Sequence, residues 1–113
     1  RVYAGSETFL MRTLRAGGVG CISATANVNP KAIADVAAHW RESNADERQA
    51  DLDKVRSVFA HYQMIAGMKT AVAHFSKDPE WLRVRPPLMQ LSADQQAKLL
   101  SELKAINFSM PGL

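Results

Sequence analysis

The chain has 113 residues, 47% of them hydrophobic and 22% charged, the composition of an ordinary globular domain with one core at most. Its formal net charge of +3 comes from basic residues interspersed with acids, so the continuous Lys/Arg stripe of a nucleic-acid binder is absent. A single cysteine excludes an internal disulfide and a multi-cysteine metal cluster and makes a reducing, cytoplasmic setting the expectation, while no apolar run approaches the roughly 18 residues of a membrane span.

The chain starts without an initiator Met, in the β-forming run Arg1–Ala4, and so reads as beginning part-way through a domain. Gly5-Ser6 stops this strand, and Ser6 is placed to cap a helix over Glu7–Ala16, with Glu7 in its first turn and Gly17 past its end. Val19–Thr25 reads as a second strand with little polar alternation, as expected when both faces are covered. Asn29 and Pro30 then open a helix whose apolar positions Ile33, Val36, Ala37 and Trp40 share one face. Two strands joined by a helix should lie parallel and adjacent.

From Ala45 the pattern is helical only. Asp46 and Gln49 have capping-box spacing, and Leu52, Val55, Phe59 and Tyr62 form the stripe behind them. Gly67 marks a predicted break before a helix carrying Met68, Val72 and Phe75, which Asp78-Pro79 ends. Arg83-Val-Arg-Pro-Pro87 is an extended connector. A second capping box, Ser92 and Gln95, opens a last helix with Leu99, Leu100, Leu103 and Ile106 on its buried face. The organisation is therefore two βα units over 1–44 and a helical extension over 45–113. Two short parallel strands cannot bury both faces of a sheet, so further strands are expected, from another chain or from a larger α/β protein of which this is the C-terminal part.

In a parallel α/β fold the chemistry sits beyond the carboxyl ends of the strands. Gly5-Ser6-Glu7 and Thr25-Ala-Asn-Val-Asn29 are at that end. Gly17-Gly18-Val19-Gly20 precedes a strand and so reads as turn punctuation, because a phosphate cradle must follow a strand and open a helix. Cys21 has no local His and reads as a packed thiol. Ser23 and Thr25 are nucleophiles or polar pocket liners with no neighbouring base in sequence. Lys31 is a helix-start lysine at the functional end, and His39, His61 and His74 match no metal-ligand helix motif. Glu7 is a general base, a substrate hydrogen-bond acceptor or simply a first-turn helix acid.

Gly5-Ser-Glu7, Ala16-Gly-Gly-Val-Gly-Cys-Ile-Ser-Ala-Thr-Ala-Asn27 and Pro30, with Met68-Lys69-Thr-Ala71 and Arg85-Pro-Pro-Leu88 in order downstream, resemble the end of the dihydrodipicolinate synthase/N-acetylneuraminate lyase family. The resemblance covers essentially the whole chain. It implies the last two strands and helices of a (β/α)8 TIM barrel followed by a C-terminal helical extension. It also implies a pyruvate-type Schiff-base lyase or synthase, in which a lysine forms an imine with a 2-oxo acid, an aldehyde is the second substrate, and no cofactor or metal is needed. A commonly tetrameric homo-oligomer that binds neither nucleic acid nor membrane is implied with it.

The imine-forming lysine and the relay tyrosine of such enzymes would precede Arg1, so no catalytic residue is expected in this chain and, alone, it is expected to be inactive. The substrate-binding residues implied are Gly5, where a missing side chain leaves room for substrate, and Ile22, whose carbonyl would face the imine. Ser6 and Glu7 stand where members contact the second substrate. Here the run is Gly-Ser-Glu-Thr, and Ala24 stands where sialic acid lyases carry serine, so sialic acid is disfavoured. A 2-keto-3-deoxy sugar-acid aldolase or dehydratase of the same family is the alternative, and a non-catalytic helical interaction module is the competing class.

Overall fold

The computed structural model describes all 113 residues. The two predicted strands pair in parallel: β1 (Tyr3–Ala4) lies against β2 (Gly20–Cys21), Tyr3 opposite Gly20 and Ala4 opposite Cys21. The ladder continues one bond past each end, from the Val19 N–H to the Val2 carbonyl (2.9 Å) and from the Ile22 N–H to the Ala4 carbonyl (2.8 Å). The second strand is shorter than Val19–Thr25. Ala24–Asn27 is a 3-10 turn, closed by the Val28 N–H on the Thr25 carbonyl (3.0 Å) and by the Asn27 side chain on the Ala24 carbonyl (2.9 Å). The turn brings the hydroxyls of Ser23 and Thr25 onto one acceptor, Glu7.

The helix predicted over Glu7–Ala16 forms as a 3-10 turn, Glu7–Phe9, running into α1 (Leu10–Arg15), with Ser6 Oγ accepting the Thr8 N–H at 3.3 Å. It ends where Gly17 takes a φ of +88°, a region that penalises any Cβ. A Cβ on Gly18 would lie 2.9 Å from the Thr13 carbonyl oxygen, so the return into β2 needs both glycines. They are turn punctuation at the strands' amino end, as the sequence indicates. α2 (Pro30–His39) starts at Pro30 and buries Ile33 and Val36, while Ala37 is exposed although the predicted stripe includes it.

Two compact units, Arg1–Arg56 and Ser57–Leu113, divide the chain within α3 (Ala45–Ala60). The division falls later than residue 44 because Ala45 and Leu52 of α3 complete the core made by Leu10, Met11 and Leu14 of α1 and Ile33 and Val36 of α2. Each large apolar side chain buried there contributes roughly 1.5–3 kcal/mol, so packing holds a two-residue ladder that could not stand alone. Cys21 packs against this core. Alternation puts Tyr3 and Ile22 on the opposite sheet face, where both are exposed, Ile22 by 74%. Within these residues only one face of the sheet is covered, not the two that the apolar strand suggested.

In the second unit, Gly67 lies inside α4 (Met64–Ser76) and the helix break falls at His61–Gln63 instead, with the Gln63 side chain accepting the Ala66 N–H at 2.7 Å. A Cβ at Gly67 would sit 3.6–3.8 Å from Tyr62, Phe59 and Leu99, so this glycine faces close packing. The core centres on Phe59, fully buried, with Leu99 and Leu103 of α5 (Ala93–Ala105) also buried and Phe108 edge-on to Phe59 at 6.0 Å. The Ser92/Gln95 capping box forms. Leu100 and Ile106 are half-buried. Lys69 Nζ donates to the Arg83 carbonyl, tying α4 to the start of the proline connector.

Candidate functional site at the carboxyl ends of the strands

Glu7 follows β1 after the two residues Gly5 and Ser6, and its side chain meets the residues just past β2. Its side chain is 2% exposed. Thr25 Oγ1 donates to Oε1 and Ser23 Oγ donates to Oε2, the latter also taking Arg56 Nη1 at 3.2 Å and Ser6 Oγ at 3.3 Å. Arg56 Nη1 reaches Ser23 Oγ as well, at 3.4 Å. From the same helix, Gln49 Nε2 donates to the Glu7 carbonyl at 2.9 Å, and its Oε1 accepts the Met11 N–H at 3.1 Å. The predicted capping box of Asp46 and Gln49 is therefore not what Gln49 does. Its amide crosses to the first βα unit.

Burial pushes the Glu7 carboxyl up, but the Ser23 and Thr25 hydroxyls, a backbone bond and the Arg56 charge outweigh it, and the group is held below the usual glutamate range. A carboxylate with lowered proton affinity and both oxygens occupied is a weak base. Neither is it presented to solvent as an acceptor. Ser23 and Thr25 donate their hydroxyl protons inward and have no histidine or lysine partner. Burial, then the nearby Glu7 charge, raises the Cys21 thiol, so it stays protonated as the packing reading requires.

Gly5 borders open space, with nothing within 4 Å of a notional Cβ. Ser6 and Ile22 flank the clustered residues, so the structure brings Ser6, Glu7, Ser23 and Thr25 together with Ile22 at the strand end. Lys31 lies apart, ion-paired with Asp35 at 2.6 Å on the surface of α2. The histidines are scattered: His39 bonds Glu42 at 2.8 Å, exposed His61 lies 3.9 Å from Glu102, and His74 stands edge-on to Phe75. No group of three or more His, Cys, Asp or Glu side chains could hold a metal, and no helix is long and apolar enough to cross a membrane. Sequence reasoning passed over Arg56 and the bridging role of Gln49. The available signal was their seven-residue spacing on α3, two turns apart on the face that also buries Leu52.

A parallel βα pair with glycine-marked turns, a clustered strand-end loop and a helical tail matches a known family model, dihydrodipicolinate synthetase, continuously over residues 1–106. The chain belongs to the dihydrodipicolinate synthetase family. Among curated relatives, the 4-hydroxy-tetrahydrodipicolinate synthase of Trichlorobacter lovleyi is 32% identical over 107 residues, which are 91% of this chain and 36% of that protein. The same-named protein of Acidiphilium cryptum is 36% identical over 73 residues, 65% of this chain and 24% of its own length. The chain thus spans about a third or less of the curated relatives it matches.

Several solved structures carry the same fold. The dihydrodipicolinate synthase of Thermotoga maritima superposes with a TM-score of 0.77 at 23% identity, over 94% of this chain and 36% of that one. A variant of the Sulfolobus solfataricus 2-keto-3-deoxygluconate aldolase gives 0.80 at 20% identity, over 94% and 37%. The N-acetylneuraminate lyase of Aliivibrio salmonicida gives 0.78 at 22%, over 96% and 36%. Family membership spans both compact units, which removes the ground for reading the helices as an unrelated interaction module.

Proposed function

We propose that this chain forms the last two βα units and the helical extension of a (β/α)8 barrel that makes or breaks a carbon–carbon bond next to a 2-oxo acid imine. The observation carrying this reading is the continuous family match over residues 1–106, joined to an uncovered sheet face that bears Tyr3 and Ile22. Such a face would become part of a packed barrel interior once further strands are supplied.

In this reading the lysine that forms the imine, and the tyrosine that relays protons, belong to other strands of the barrel. The protonated imine withdraws electrons from the neighbouring carbon, so that a bond there can form to an aldehyde or break to release one. The residues described here supply part of the wall. Gly5 leaves space beside the substrate, Ile22 borders the imine through its backbone, and Ser6 stands on the side of the second substrate. Pyruvate with a small aldehyde is the favoured pair, because the curated relatives above 30% identity carry the synthase name. A homotetramer in the cytoplasm is the accompanying proposal, and the 113 residues alone are expected to be inactive. The test is borohydride reduction of the protein expressed from its intact gene, with and without pyruvate. A pyruvate-dependent mass increase on one lysine is expected, and its absence overturns the proposal.

A further inference from the structure

We infer that Glu7 and Arg56 are positioning residues, a charged clamp of a buried carboxylate and a half-buried guanidinium through which α3 sets the backbone at the end of β2; only the catalytic consequence rests on the lyase reading above. Glu7 is enclosed by these residues alone, so any additional strand can bury it further but cannot create its environment. Its two oxygens take the hydroxyls of Ser23 and Thr25, the residues that start the turn directly after Ile22. Arg56 Nη1 touches both the carboxylate and Ser23 Oγ, so the guanidinium closes a three-way contact between the loop after β1, the end of β2 and α3.

Seven residues earlier on α3, Gln49 grips the main chain of the same residue by the Glu7 carbonyl and adds the Met11 amide. The helix thus holds one residue at two points, side chain and backbone. With Oε1 and Oε2 both engaged, the acid at this position is withdrawn from substrate, and Gly5 and Ser6 are the surface that remains. The consequence is that Arg56, 49 residues from Glu7 in sequence, governs where Ile22 stands.

The test uses Glu7→Gln, Arg56→Met and the double variant in the protein from the intact gene. Amide exchange over residues 22–28 should rise roughly tenfold in each single variant, the scale of one lost hydrogen bond to a charged group. The double variant should exchange no faster than the worse single, and Arg56→Lys should recover part of the protection. The rate of borohydride-trapped pyruvate incorporation should fall by a similar factor in both singles, with the aldehyde KM unchanged. An aldehyde KM raised only by Glu7→Gln, with exchange in Arg56→Met at the wild-type rate, would make Glu7 a substrate contact and overturn the inference. If Glu7→Gln fails to fold, Arg56→Met and Arg56→Lys decide the matter by exchange. A wild-type protein that traps no pyruvate overturns the lyase reading instead and leaves the exchange result to stand.

Discussion

Replacing Thr25 by valine keeps the shape of the side chain and deletes one hydroxyl. The two oxygens of Glu7 are unequally served by side chains: Oε2 has Ser6, Ser23 and Arg56, whereas Oε1 has Thr25 as its one side-chain donor. Thr25→Val therefore strips a buried, charged oxygen of its side-chain donor, and the expected loss is about 3 kcal/mol, the upper end for an unsatisfied buried group. Ser23→Ala leaves Oε2 with two donors and should cost only about 1 kcal/mol. Urea unfolding of both variants at neutral pH measures the difference. Valine should also let burial act less opposed on the carboxyl, raising its titration point and moving the acid loss of stability to higher pH. A Thr25→Val cost equal to or below that of Ser23→Ala refutes the reasoning, since it would mean that Oε1 finds another partner or is not desolvated.

The remaining predictions address the carboxylate's charge and the packing. Because the Glu7 carboxyl titrates lower folded than its unperturbed 4.5, its contribution is complete above that value and fades as pH falls through the native one; the gap between wild type and Arg56→Met in urea should close over the same range. Gly18→Ala should cost roughly 1–3 kcal/mol, since its Cβ would meet the Thr13 carbonyl at 2.9 Å, and a neutral result in thermal unfolding would contradict the tight turn. Phe59→Ala, at the fully buried centre of the second unit, should cost roughly 3–5 kcal/mol, and Ser92→Ala about 1 kcal/mol through loss of the capping box.

Local signals in the chain map onto what formed. Pro30 and the Ser92/Gln95 pair mark helix starts because their chemistry is satisfied within a few residues, and Gly17-Gly18 marks a turn for the same reason. The departures at the site involve partners distant in sequence. Gln49 carries capping-box spacing yet serves Glu7 and Met11, and Thr25 carries strand propensity yet curls toward a carboxylate 18 residues away. Gly67 looks like a helix breaker but lies within α4, where a Cβ would make ordinary contacts with Phe59 and Leu99. At the candidate site, the loop positions Gly5, Ser6 and Glu7 are legible from strand order, whereas Ile22 is singled out only by the family resemblance. The inward commitment of Glu7 is not legible, because it depends on an arginine in a different segment whose pattern reads as a solvated helix face.

Reductive trapping remains the most direct measurement of the central claim. With pyruvate and borohydride, the protein from the intact gene should gain one pyruvate-derived adduct on a lysine outside these 113 residues, leaving Lys31 and Lys69 unmodified in the peptide map. No adduct, or an adduct on Lys31, would contradict the assignment of this chain as the non-nucleophilic wall of a Schiff-base barrel.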